Sequence, residues 1–371
     1  MAILLLLLLA GSWVYSVLSV IAAFRYLGDH AANGNARPPI SILKPLSGLD
    51  DGLESNLQTF FQQNYGLFEI LFAVRSEDDA AVAVVHKLQK EFPNIPTQLI
   101  VTGNPPYPNA KVYSLDKMMA AASHDLLVMS DSDIRVDSDL LVTVASEFAD
   151  PKIGLATCPY RAMGGPSFWS TLEAIGLNTD FMGGILVARM LEGMKFAVGP
   201  TIVARRTVLR AIGGFDRLKD YLAEDFMMGK FAADAGYGVI LSSYVIEHHI
   251  GSTPLIENAK HRIRWTRSTR RSRPAGYIGQ LFTMPLPLAL LLTLAKGSWW
   301  PLLLATVVLR FVAAYVISRR VLHARSNWLL LPVEDILGFL FWVGGFFGNT
   351  ILWRGRRYRL QPDGKFELIS E

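Results

Sequence analysis

Four short segments hold residue types suited to one chemistry. The apolar run Leu126–Ser130 leads straight into Asp131-Ser132-Asp133. Alternating carboxylates at the end of a strand suit a divalent cation that itself carries a diphosphate, because hard cations select oxygen ligands. Glu77-Asp78-Asp79 follows another apolar run, ending at Val74, and an acid there can accept from ring N–H groups and ribose hydroxyls. Ala223-Glu224-Asp225-Phe226 sets two acids among apolar neighbours, surroundings that raise a carboxylate toward the range of a general base. On a helix, His261, Arg264 and Trp265 share one face. Arginine offers a planar fork to phosphate oxygens, and tryptophan a flat surface to a sugar or lipid. Each segment also has a plainer reading as a solvated turn, a helix start favoured by its dipole, or a charged helix face. Their joint placement has to separate the two.

The elements that would position these residues alternate in type. Ile40–Leu43 reads as a strand, followed by a helix capped by Asp50 with Leu53, Leu57, Phe60 and Phe61 on one face. Then come a strand over Glu69–Val74, a helix over Ala80–Phe92, a strand over Gln98–Val101, a proline-rich loop over Thr102–Ala110, a helix over Val112–Ala122 and a strand over Asp125–Ser130. This alternation predicts an α/β fold with a doubly wound, mainly parallel sheet. Ligands of such sheets bind beyond the carboxyl ends of the strands, where the acids fall.

The ends of the chain read differently. Of the 371 residues 51% are hydrophobic and only 18% charged, which argues against a purely water-soluble enzyme and against disorder. A net charge of +4, spread along most of the chain, excludes a general nucleic-acid surface. The single cysteine, Cys158, excludes a disulfide-stapled extracellular fold. Ile3–Phe24 carries no charge and is long enough to cross a membrane as an uncleaved anchor. Arg25 after it places the next segment on the cytoplasmic side. Residues 1–25 are therefore the anchor, 26–274 a cytosolic globular domain, and 275–371 a membrane domain with spans near 277–295 and 298–318 and a re-entrant segment over 328–353. Arg310 inside the second span calls for a partner, with Glu334 and Asp335 as candidates. Arg267, Arg270, Arg271 and Arg273 read as positive-inside charges facing headgroups, and Arg354 as a basic flank of the last apolar region. Met182–Ala197 reads as an amphipathic element.

In this order, and between these membrane segments, the motifs resemble those of the ceramide glucosyltransferases (family 21 glycosyltransferases) and their bacterial hopanoid-associated relatives. The resemblance extends to Ile42-Leu43-Lys44-Pro45-Leu46 with Gly48, to Asn56–Phe61, and to Gly355–Leu360 near the end of the chain. It implies a GT-A domain that moves a sugar, glucose or N-acetylglucosamine, from a UDP-sugar to the hydroxyl of a membrane lipid, ceramide or a hopanoid, with inversion. A divalent cation, Mg²⁺ or Mn²⁺, goes with that activity. Carried over by position, Asp79, with Asp78 beside it, contacts the nucleotide; Asp131 and Asp133 serve the metal and diphosphate; and Asp225 is the catalytic base. Arg264 and Trp265 close the motif, and Lys111 matches a donor-contacting lysine. Glu224, His261 and Lys44 are supporting candidates. His261 stands where the family has glutamine or arginine. A processive polysaccharide synthase and a non-catalytic sugar-nucleotide-binding membrane protein are the rival readings.

Overall fold

The computed structural model describes residues 2–29, 37–353 and 355–370. Arg354 therefore lies outside the described residues. The chain forms two compact units, Ala31–Tyr160 with Met194–Gly251, and Met1–His30 with Arg161–Gly193 and Ser252–Glu371.

The first unit is built on a sheet. Its strands are β1 (Ile40–Pro45), β2 (Phe68–Val74), β3 (Thr97–Val101), β4 (Leu126–Ser130), β5 (Ile134–Arg135) and β6 (Ile153–Thr157); β7 (Tyr160–Gly164) begins here, and β8 (Thr201–Arg205), β9 (Gly238–Leu241) and β10 (Ile246–Ile250) follow after the return to this unit. Seven of them join in the order β3-β2-β1-β4-β8-β6-β9. β1, β2, β3 and β4 are parallel, and near-continuous apolar runs such as Phe68–Val74 fit strands buried on both faces. The sheet departs from a wholly parallel one at β8, which runs antiparallel to β4 and β6. Thr201 thereby pairs with Ser130, so the start of β8 lies at the edge where β4 ends.

Helices observed over Leu53–Phe61, Ala81–Glu91 and Ala110–Ala121 follow the expected apolar spacing within a residue or two. One cap differs. Gly52, at φ 74°, precedes the first helix, while Asp50 accepts a hydrogen bond from the Ser132 hydroxyl instead. A left-handed N-cap position suits glycine better than aspartate.

The second unit is helical. Among the described residues three helices are long and apolar enough to cross a membrane, Ala2–Gly28, Gly297–Val321 and Trp328–Gly345. Ala2–Gly28 buries Leu9, Ser12, Ser16, Ser19 and Ala23 at three- and four-residue spacing, and leaves Leu4, Leu7, Val14, Val17 and Ile21 exposed. Small residues on the packed side and large apolar ones outside are what lipid demands, since close backbone approach replaces hydrophobic burial.

Three features differ from the sequence expectation. The region expected to span over 277–295 is bent by 63° between Pro274–Thr283 and Pro285–Ala295. Pro285 opens the second piece, whose 11 residues reach only about 16 Å. The last apolar region is not one element to residue 353. Its helix stops at Gly345, and β11 (Thr350–Trp353), β12 (Arg356–Leu360) and β13 (Phe366–Ser370) form a separate small antiparallel sheet. Finally, Arg161–Gly193 and the helix Leu255–Ser272 belong to this unit, although their polarity suggested the globular one. Some of their charges are matched inside it: Arg262 grips both oxygens of Glu334, one at 2.9 Å.

Candidate active site

The first unit gathers its acids at the carboxyl edge of the parallel strands. Asp131 follows β4 directly and its N–H donates to the Pro200 carbonyl at 2.9 Å. The helix Ala110–Ala121 starts nearby because Asn109 caps it, Oδ1 accepting from Val112 N at 3.1 Å, while Nδ2 donates to the Tyr221 carbonyl at 2.9 Å. That start fixes Lys111, whose ammonium lies 2.7 Å from Asp131 Oδ1 and 3.2 Å from Glu224 Oε1. Glu224 and Asp225 form the first turn of the helix Glu224–Asp234. A cleft of about 290 Å³, counting its open mouth, is lined by Lys111, Ser130, Asp131, Gly199, Glu224 and Asp225 over an apolar floor.

Charge explains the behaviour of this cluster. Burial, and next the adjacent Glu224, push Asp225 up to about 7 against the pull of Lys111. Burial alone would lower Lys111, but Asp131 and Glu224 overcome it and hold the ammonium well above its ordinary value. Burial also raises Asp131, with Lys111 opposing. A carboxylate poised near neutrality beside a fixed cation can accept a proton from an attacking hydroxyl.

Two glycines let the cluster form. A Cβ on Gly199 would stand 2.7 Å from Asp225 Oδ2, and one on Gly229 only 2.2 Å from Ala197 N. The Gly229 contact is with backbone, so this glycine lets the helix carrying Asp225 lie flat against the chain at 196–197. The Gly199 contact is with a side chain that can swing away. Gly199→Ala is therefore expected to leave the thermal midpoint within about 2 °C, as for a change that adds no backbone clash, yet to lower turnover about tenfold by turning the carboxylate aside. Steady-state kinetics with a melting curve checks both; unchanged turnover would show that the Asp225 position does not matter.

Asp133, two residues beyond Asp131, has its own support. Its Oδ2 lies 3.1 Å from His248 Nε2, and its Oδ1 is buried with no hydrogen-bond partner among the described residues. His248 is on β10, opposite Ile134 of β5, and holds Asp133 well below its ordinary value against the upward push of burial. Lys44, fully buried on β1, donates to the Asp131 carbonyl at 2.5 Å and lies 3.7 Å from the Phe60 ring centre. Burial lowers it to about 7. On the other side Asn56 Nδ2 donates to the Ser132 carbonyl at 3.4 Å and Arg135 donates to Asn56 Oδ1 at 3.0 Å. Lys44 and Asn56 thus hold the backbone of Asp131–Asp133 from both sides.

An orphaned, buried Oδ1 on Asp133 and the exposed third of Asp131 suit a hard cation. Among the described residues no group of three or more His, Cys, Asp or Glu is set to hold a metal ion. A cation here would need diphosphate oxygens and water to complete its ligands.

Asp79 is engaged by backbone: its two oxygens accept from Gly48 N at 3.0 and 3.1 Å, and Oδ1 also from Ala81 N at 3.0 Å. It clips the turn after β1, where Gly48 has φ 72°, to the start of the next helix. Asp78 is exposed beside it, on the turn after β2.

His261, Arg264 and Trp265 lie in the second unit, on Leu255–Ser272. His261 Nδ1 is 2.9 Å from Glu173 Oε1, and its ring is 4.7 Å from that of Trp265. The Arg264 guanidinium is 6.0 Å from the Trp353 ring centre. Two arginines read as headgroup charges have another task. Arg267 donates to the carbonyls of Phe347 and Thr350 at 2.9 and 2.6 Å, and Arg270 to Gly348 O and Asn349 Oδ1 at 2.7 Å each. They satisfy carbonyls left over where the helix Leu331–Gly345 ends. Of the two candidates for Arg310, Asp335 is the partner, at 2.8 and 2.9 Å.

The fold and this acid-lined edge define a GT-A glycosyltransferase architecture with apolar helices at both ends. The chain belongs to glycosyl transferase family 21, whose sequence model matches residues 4–366. It is 29% identical over 230 residues to ceramide glucosyltransferase 1 of Caenorhabditis elegans, a match covering 62% of this chain and 49% of that protein. To the ceramide glucosyltransferase of Komagataella phaffii it is 34% identical over 106 residues, 28% of this chain and 21% of the other. The chain spans about half the length, or less, of the curated relatives it matches. In fold it is similar to the mannosyltransferase PcManGT of Pyrobaculum calidifontis, solved with GDP-Man and Mn²⁺, at a TM-score of 0.56 and 18% identity over 93% of this chain and 99% of that one.

Proposed function

We propose that the chain transfers glucose or N-acetylglucosamine from a UDP-sugar to the hydroxyl of a membrane lipid of the ceramide kind, with inversion, on the cytoplasmic face of the membrane. The observation that supports this most is Asp225, a carboxylate raised to about 7 within a cleft whose other wall is Lys111 and Asp131. Membership of the family and the names of the relatives support the lipid acceptor.

In this reading the lipid hydroxyl gives its proton to Asp225 as its oxygen attacks the anomeric carbon. The bond from that carbon to the diphosphate breaks on the opposite face, and UDP leaves with the electron pair. A single displacement inverts the centre without a protein nucleophile. Lys111 opposes the rise of the base toward its protonated form. Lys44 and His248 fix Asp131 and Asp133, the residues that would hold a divalent cation, which when bound neutralises charge on the departing diphosphate. Asp78 and Asp79 are assigned to the nucleotide, and Arg264 and Trp265 to the phosphate and sugar.

UDP release by the purified chain in detergent tests this reading, with UDP-glucose and UDP-N-acetylglucosamine each offered to ceramide and to a hopanoid polyol. Lipid-dependent release with one pair, abolished by EDTA, is expected. Donor binding without release from any pair would instead favour a non-catalytic sugar-nucleotide-binding protein. Asp131→Ala is expected to lose the response to added Mn²⁺ or Mg²⁺ and at least about 10²-fold in kcat/KM; an unchanged metal titration would remove Asp131 from the metal site.

A further inference from the structure

The helical unit contains an ionic group with no part in the chemistry above. Arg310, on the helix Trp300–Tyr315, is bound to Asp335 and lies 2.7 Å from Asp180. Asp335 is fully buried, whereas Asp180 keeps 23% of its side chain exposed and opens onto a small cleft. Tyr15, Ser19, Thr179 and Thr283 share the wall of that cleft.

Most of these hydroxyls are already committed to helix carbonyls. Ser19 donates to Ser16, Thr179 to Ile175 and Thr283 to Gln280, at 2.8–2.9 Å. Tyr15 is different: its hydroxyl is buried and has no hydrogen-bond partner among the described residues. An unused donor inside an apolar helix bundle is costly, and here it shares a cleft with a partly exposed carboxylate.

Local backbone and charge narrow the occupant. Thr179 and Asp180 sit in one wide helical turn, Leu177–Phe181, and Ile317 on the cleft wall sits in another, Val316–Val321; such π turns are rare and gather at functional sites. The next residue after Asp180, Phe181, lies 6.5 Å ring to ring from Trp265 of the family motif, which ties the cleft to the motif-bearing helix. Two aspartates face one arginine, while Glu334 nearby is matched by Arg262. Arg310 is already matched by Asp335, so among the described lining residues no spare cation awaits a phosphate, and the cleft favours a neutral group that donates a hydrogen bond to Asp180 and accepts one from Tyr15.

We propose that this cleft receives a neutral hydroxyl of the acceptor lipid other than the one that reacts, with Asp180 accepting from it and Tyr15 donating to it. The inference rests on the reading of the chain as a lipid glycosyltransferase, so its test separates binding from turnover. Binding of ceramide to the purified full chain is measured by native mass spectrometry, alongside kinetics. Tyr15→Phe and Asp180→Asn are each expected to weaken ceramide binding, and to raise its KM, about tenfold, the loss of one hydrogen bond to a buried partner, with the KM for the UDP-sugar unchanged. Tyr15→Phe should not lower the melting temperature, because the hydroxyl it removes has no partner among the described residues. A ceramide methylated at its secondary hydroxyl loses the donor to Asp180 and should bind the wild type as weakly as ceramide binds Asp180→Asn, and phosphatidic acid should not compete. Wild-type ceramide affinity in both variants, or equal competition by phosphatidic acid, would overturn the site. Transfer by the wild type with both variants unaffected rejects the cleft alone; ceramide binding that depends on Tyr15 and Asp180, without transfer, supports the cleft and rejects the enzyme.

Discussion

Asp225→Asn lowers turnover by about 10³-fold, within the range general-base catalysis supplies, while UDP-sugar binding persists. The amide keeps the shape of the carboxylate beside Gly199 but cannot take a proton from the acceptor hydroxyl. The wild-type pH profile should show the same group. Asp225 sits at about 7, so it is protonated and inactive below that pH, and turnover rises as pH increases through it. Single-turnover assays across pH 5.5–8.5, with donor affinity measured separately, check the prediction. Near wild-type turnover in the asparagine variant, or a profile flat through neutrality, would assign the base to another residue.

Lys111→Met is the second large effect, through charge, since methionine preserves the unbranched stem. Without the ammonium, Asp131, Glu224 and Asp225 face one cleft with nothing between them. Removing one partner from a buried ion pair costs about 3–5 kcal/mol, and because Lys111 and Asp131 remain 25% and 34% exposed the lower end is expected. Lys111 is also the cation that opposes the rise of Asp225, so its loss carries the alkaline-going limb of the profile to higher pH and cuts turnover at neutrality by more than about 10²-fold. Urea unfolding followed by tryptophan fluorescence gives the stability change, and the pH profile gives the rest. An unmoved midpoint together with an unmoved limb would reduce Lys111 to a surface charge.

The sheet was readable because its signals are local. Apolar runs of strand length alternate with segments of helical spacing, and Asp131 and Asp133 follow β4 without a gap. What escaped the sequence is carried by contacts far apart in the chain. His248 reaches Asp133 from 115 residues away, and nothing around His248-His249 marks it as a carboxylate partner. Gly199 and Gly229 matter for what a Cβ would strike, a property without a sequence signature. Charge told only part in the helical unit: Arg267 and Arg270 match the composition of a membrane flank, and they also cap a helix end. Polarity likewise drew Arg161–Gly193 toward the globular unit, although its acids find their partners in the helical one, Asp180 with Arg310 and Glu173 with His261.

The configuration of the transferred sugar tests the central claim most directly. Glycolipid made by the purified chain from a UDP-α-sugar would be isolated and its anomeric proton read by NMR. A direct displacement assisted by Asp225 predicts a β-linked sugar on the lipid hydroxyl. An α-linked product, or sugar released to water with none on the lipid, would contradict it.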